Sequence, residues 1–269
     1  MGNLRKNREK LRLLMLISAA VSVSFLGVAC QNGAPGDVMI SSIDTKAAAD
    51  RVAEADALYE GREDMNKARV AVAALRQARV ADYGNYEAAW KLARAAFYVG
   101  DHTDNASEID DMFREGTEAG KAAVALQPSR PEGHFWLGAN YGGAAAHSTL
   151  ANLSSFQDIK GEMEAVLKID ESYQGYSAYL GLGRLYLQAP RAFGGDTAKA
   201  IEYLEKGVGL SPNNTMMRFH LAEAYHEANR EAEAKKQIET IKATTADPKY
   251  AAEHKDAVAK ADKLLQKLR

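Results

Sequence analysis

The chain has 269 residues, a single cysteine, six prolines and a formal net charge of −2. One thiol excludes an internal disulfide framework and a thiolate zinc cluster. Mild acidity without a basic block argues against nucleic acid as a partner.

The N-terminus reads as an export signal over residues 1–29. Arg5, Lys6, Arg8, Lys10 and Arg12 form a basic front, with Glu9 the one acidic side chain among them. The apolar run LRLLMLISAAVSVSFLGVA follows and closes on Gly27 and Ala29. Small residues at those two places suit cleavage before Cys30. The cysteine is then a candidate for diacylglycerol attachment, which turns an exported domain into a membrane-anchored one. Two other readings stay open: ordinary cleavage that leaves Cys30 a free thiol, and a retained span at the short limit of length. Loss of residues 1–29 removes mostly basic side chains and leaves the remainder more acidic. Gln31, in place of an aspartate after the cysteine, points to an outer membrane facing the periplasm in a Gram-negative cell. Residues 30–44 then form the lipidated cysteine and a flexible tether, small, polar and Gly/Pro-containing.

From residue 45 to 269 the sequence predicts an all-α domain. Amphipathic stretches are separated by breaks at Gly61, Tyr83-Gly84-Asn85, Gly100-Asp101, Pro128 to Pro131, Asp170, Gly194-Gly195 and Ser211 to Asn214. No segment alternates apolar and polar residues as a half-buried strand would. The stretches repeat. Leu137-Gly138 with Tyr141, Leu182-Gly183 with Tyr186, and Leu221-Ala222 with Tyr225 share one pattern; Trp90, Ala93 and Phe97 are a looser copy. Second helices supply Ala123, Ala200 and Ala234, and Pro128, Asp170, Pro212 and Pro248 close the units. This is the tetratricopeptide pattern of paired helices. The expected fold is an irregular tetratricopeptide-like array, an α-α superhelix. Extra residues are expected near 101–110, 147–155 and 187–196. Residues 45–80 read as a degenerate first pair and 248–268 as a charged capping helix.

Small residues let paired helices approach, and the aromatics fill the gap to the next unit. Trp90, Trp136, Tyr141, Tyr179, Tyr186 and Tyr225 are accordingly read as inter-repeat packing in preference to a ligand cage. The first helix of each unit lines the concave face of such arrays. That register directs Lys91, Tyr98, Glu132, Phe135, Arg184, Leu187, Met216, Phe219, Glu223 and His226 toward a groove for an apolar ligand or a partner segment. A generic scaffold surface is the alternative. The loop carrying Arg191, Phe193 and Asp196 is a separate feature: its glycines permit a left-handed turn, Asp196 is placed to cap the next helix, and Arg191 and Phe193 are candidates to reach a groove or a partner.

No nucleophile elbow, phosphate loop or HExxH occurs. HLAEAYHE sets Glu223 and His226 three apart on a helix, but a carboxylate-bridged metal centre needs a second such helix. Asp101-His102-Thr103-Asp104 lacks the ligand count of a calcium loop. The expectation is a binding protein, not an enzyme, with no metal and no cofactor.

HFWLGANYGGAAAHSTL (134–150), IKGEMEAVLKIDESYQGYSAYLGLGRLY (159–186) and PRAFGGDTAKAIEYLEKGVGLSPNN (190–214) resemble the T-component family of tetratricopeptide-associated TRAP transporters. The resemblance spans about residues 80–245. It implies a periplasmic lipoprotein acylated at Cys30, an accessory subunit that associates with the substrate-binding P component of a solute transporter. It further implies a hydrophobic ligand held in the fold and a homotrimer. A general cell-envelope scaffold that grips protein segments is the alternative function.

Overall fold

Pairs of antiparallel helices stack in chain order, each first helix packing on the first helix of the next pair. The structure, a computed structural model, describes residues 43–147 and 153–268. The expected signal, Cys30, most of the tether and residues 148–152 of one insertion lie outside the described residues. The first helices are α1 (Thr45–Glu60), α3 (Tyr86–His102), α5 (Pro131–His147), α7 (Tyr173–Gln188) and α9 (Thr215–Glu227). Their partners are α2 (Met65–Ala81), α4 (Ala106–Leu126), α6 (Leu153–Ile169), α8 (Thr197–Leu210) and α10 (Glu231–Ala243). A final helix, α11 (Ala251–Lys267), packs on α9 and α10. Among the described residues there is no strand, and no helix is long and apolar enough to cross a membrane.

Local chemistry explains where the helices start. Asp44, Asp64, Asn85, Asn105, Asp196 and Asn214 each accept a hydrogen bond from a backbone N–H of the first turn that follows. Each such cap contributes about 1 kcal/mol.

Packing follows the small residues. Ala123, Ala200 and Ala234 are fully buried on the second helices. Gly183 brings α7 onto Leu204 of α8, and Gly138 brings α5 onto Met163 of α6. Tyr186 and Tyr225 are buried between units, against Phe156 of α6 and Glu205 of α8, and Tyr179 is buried within its own pair against Tyr203 of α8. The units also lock through ion pairs: Arg69 grips Glu108 through two hydrogen bonds of 2.7 and 2.8 Å, and Arg76 grips Glu115 in the same manner, both from α2 to α4.

The expected break at Gly100-Asp101 is corrected. α3 runs through both residues to His102, because Gly100 is a close-approach position under the Phe113 ring, where a Cβ would stand 3.1 Å away. The extra residues of 101–110 extend helices instead of forming a loop. α4 has 21 residues, and only Thr103 to Asn105 separate it from α3. The insertion at 187–196 is a 3-10 turn, Arg191–Phe193, ended by Gly194 at φ 111°.

The two ends of the array meet. Arg62, in the α1–α2 turn, lies 3.6 Å from Glu253 at the start of α11.

Candidate functional site on the concave face

Four first helices converge on one cluster of rings and charges. Asp56 of α1 receives the Lys91 Nζ at 2.6 Å and an Arg94 guanidinium nitrogen at 3.2 Å, both from α3. The Arg94 guanidinium lies 4.0 Å from the Tyr59 ring centroid and 5.0 Å from that of Trp90. On α5, Phe135 meets Trp136 edge-on at 5.0 Å and Tyr173 of α7 at 5.4 Å. Tyr98 stacks on His102 at 4.0 Å and meets Tyr59 edge-on at 5.9 Å. Glu132 accepts from the Tyr86 hydroxyl and pairs with Arg130.

This cluster is incompletely satisfied. The buried Nε of Arg94 and the indole N–H of Trp90 have no hydrogen-bond partner among the described residues, whereas the Trp136 indole faces the Tyr173 hydroxyl. A buried donor left unpaired costs about 1–3 kcal/mol. The backbone beside it is strained as well. Gln174, Gly175 and Tyr176 hold φ values of 51°, 63° and 66°, one left-handed turn at the start of α7. L-residues pay roughly 1–2 kcal/mol each for that conformation. Such strain persists where surrounding structure enforces it, and it gathers at sites of function. Here the turn directly follows Tyr173, whose ring lies on Phe135, and burial pushes its phenol pKa up.

The structure divides the residues that the sequence assigned to a groove. Lys91, Tyr98, Glu132 and Phe135 belong to the cluster just described. Leu187 packs against the C-terminal core, with Met216 beside it, and Phe219 is buried there with its ring on His220. The assignment of Phe219 to an open groove is thereby corrected: one turn of α9 places its ring inside the core. Glu223 bonds to His220 at 2.7 Å and His226 to Glu231 at 2.8 Å, so the two side chains serve separate partners. Arg184 is exposed on α7. Arg191 and Asp196 line a different feature, an open cleft of about 760 Å³ between the 3-10 turn, the start of α8 and the α9–α10 turn. Asp196 there accepts from the Ala198 and Lys199 N–H groups, and Phe193 is half-buried.

Sequence reasoning missed Arg94, Asp56, Tyr59 and Tyr173 and favoured packing over a ligand cage for Trp90 and Trp136. Both tryptophans are half-buried, so packing accounts for only part of their surface. The available signal was the helical spacing that puts Trp90, Lys91 and Arg94 on one side of α3. Among the described residues, no group of three or more His, Cys, Asp or Glu is placed to hold a metal.

Titration separates two kinds of group. Glu108 is held at about 2 by the Arg69 guanidinium and the Thr103 hydroxyl. His220 is buried, and that burial lowers its pKa; the Glu223 hydrogen bond opposes this, while the charges of Arg184 and Lys260 add to the lowering. The unfolded chain therefore binds the His220 proton more readily than the fold does. The stability that neutral His220 contributes is complete above its unfolded value of about 6.5 and is lost as pH falls below it. Glu108 acts lower, contributing above its unfolded value and losing that contribution as pH falls toward about 2. The urea midpoint is expected to drop between about pH 7.5 and 5.5. His220→Gln should flatten that drop while leaving the acid limb near Glu108's range intact. Parallel curves for the two proteins would refute the assignment.

Comparison with known proteins gives the following. The family described as Regulator of microtubule dynamics protein 1-3 matches residues 51–188, and a tetratricopeptide repeat family matches residues 194–267. No curated protein sequence matches the chain. The fold is similar to that of TTC0263, a thermophilic TPR protein of Thermus thermophilus. Identity is 18%, the TM-score is 0.58, and the match covers 79% of this chain and 99% of that one. It is also similar to pilF of Pseudomonas aeruginosa, with 18% identity, a TM-score of 0.53 and coverage of 83% and 94%. These likenesses establish an all-α tetratricopeptide-type array.

Proposed function

We propose that this chain, which belongs to the Regulator of microtubule dynamics protein 1-3 family, is a non-catalytic adaptor that holds an extended segment of a protein partner on the concave face of α1, α3, α5 and α7. One observation carries the reading: two buried N–H donors, on Trp90 and Arg94, stand unpaired among rigid aromatic walls. An extended backbone offers the matching acceptors, its carbonyl oxygens, at regular spacing. Aromatic and arginine side chains supply the anchors that dominate such interfaces.

The test is selection of extended peptides from a display library on the wild-type protein. Arg94→Leu is expected to weaken the selected peptides about tenfold or more, since a charge-assisted donor and a stacked surface go together. Lys236→Ala, on an exposed position of α10 outside that face, should bind as wild type does. Equal binding by Arg94→Leu, at unchanged helicity, would rule the site out.

The finer reading names the partner. The segments at 134–150, 159–186 and 190–214 support an accessory T component of a TRAP transporter. On that reading Cys30 is acylated, the protein faces the periplasm from the outer membrane, and the partner is a P-type solute receptor. A hydrophobic small ligand and a homotrimer belong to the same reading. Native mass spectrometry of the mature protein, co-expressed with such a receptor, reads acyl mass, stoichiometry and bound ligand together. A monomer without acyl mass or receptor would overturn it and leave the peptide-holding site standing.

A further inference from the structure

We infer that the edge of the array where the chain enters it lies on a lipid surface, with Ile43, Val80 and Tyr83 inserted into the headgroup boundary. This rests on the membrane-anchor part of the proposed function. These three side chains are 72%, 62% and 70% exposed. They share one place, because the Asp44 N–H donates to the Ala81 carbonyl at 3.0 Å and so ties the entry of α1 to the end of α2. Equivalent positions at the ends of later second helices are better covered: Leu126, Ile169 and Leu210 are 36–40% exposed. The excess apolar surface is confined to the first unit.

The sequence supplies the occupant. Twelve residues, 31–42, join Cys30 to Ile43. At roughly 3.3–3.6 Å per residue they span at most about 40 Å. An acylated Cys30 thus keeps this edge near the bilayer in every orientation, and insertion becomes an intramolecular step at high effective concentration. The two acyl chains of a diacylglycerol hold the protein on the bilayer by themselves, so the patch sets how the array sits on the surface. The contact is apolar, not coulombic. The charged groups flanking the patch are of both signs: Asp44 and Asp82, each hydrogen-bonded to a nearby backbone N–H, Lys46, which pairs with Asp50, and Arg79, which is half-buried in the last turn of α2. On α2, Arg69 and Arg76 are already engaged by Glu108 and Glu115.

The test uses full-length protein in vesicles of phosphatidylethanolamine and phosphatidylglycerol, with and without bromine on the acyl chains. Tyr83→Trp places an indole in the patch. Glu63→Trp and Asp104→Trp place one at turns on the opposite edge. The added emission of Tyr83→Trp is expected to fall by about half in brominated vesicles, with no loss for the other two. High salt should not restore it, and Ile43→Asp should. If the protein does not float with vesicles, the anchor reading and this one both fall. Flotation with unquenched Tyr83→Trp leaves the anchor standing and overturns the docking. Shielding of Tyr83→Trp from aqueous iodide without bromine quenching assigns the patch to a second copy or to residues 11–29, and also overturns it. None of these readouts depends on the concave site.

Discussion

Leu204→Ala is expected to lower the unfolding free energy by about 3–4 kcal/mol, near the middle of the range for a fully buried leucine. Leu204 is 0% exposed, in a core shared by α7, α8, α9 and α10 with Tyr186, Met217, Leu221 and Ile238. The side chain packs directly on Gly183 of α7, where a Cβ would stand 2.4 Å from the Leu204 Cγ. Its removal opens a cavity between α7 and α8 whose cost adds to the lost transfer free energy. Gly183→Ala should be damaging in the wild type and milder when combined with Leu204→Ala, because the new methyl enters the vacated room.

The readout exploits the repeat architecture. Stacked units couple chiefly to their neighbours, so damage in α8 should first melt the C-terminal units. The two tryptophans, Trp90 and Trp136, both lie in the N-terminal half. In Leu204→Ala, loss of helicity should therefore precede the change in tryptophan emission on urea titration. Coincident transitions at the wild-type midpoint would contradict both the cavity and the locality argument.

The repeat was legible in the sequence because its rules are local. Leu182-Gly183 with Tyr186, and Ala200 and Ala234 on second helices, sit at fixed intervals and occupy the buried positions that those intervals imply. The concave site was legible only in part, because its rules are not local. Asp56 meets Lys91 and Arg94 from another unit, 35 and 38 residues away. No periodicity announces that meeting. Glycine was the ambiguous residue. Gly194 ends a turn at positive φ, as its neighbours suggest, whereas Gly100 lies inside a helix and serves close packing. Sequence alone shows the same residue type in both cases, and only the partner across the interface separates them. The left-handed turn at Gln174 to Tyr176 had one weak sign, Gly175, since the residues beside it ordinarily avoid that region.

Gly116→Ala is the second large effect, expected at about 3 kcal/mol, the upper end for inserting one methyl into a tight interior. A Cβ at this position would lie 2.0 Å from the Asn140 Oδ1. That amide has little freedom to move. Asn140 is fully buried, and its Nδ2 donates to the Ala93 carbonyl at 2.9 Å and the Trp136 carbonyl at 2.7 Å. Swinging it aside sacrifices both bonds, at about 1 kcal/mol each, and leaves a buried amide without partners. Asn140→Ala removes the obstacle along with the bonds, so the double variant should be more stable than the sum of the two single changes predicts, by at least about 1 kcal/mol. The effect reaches the binding face as well. Asn140 ties α5 to α3 through the Ala93 carbonyl, beside Arg94, while its second bond, to the Trp136 carbonyl, lies within α5. At temperatures where Gly116→Ala remains folded, it should bind the selected peptides more weakly than wild type does. Strict additivity of the two changes, or full peptide affinity in Gly116→Ala, would show that Asn140 is not the strut between the two helices.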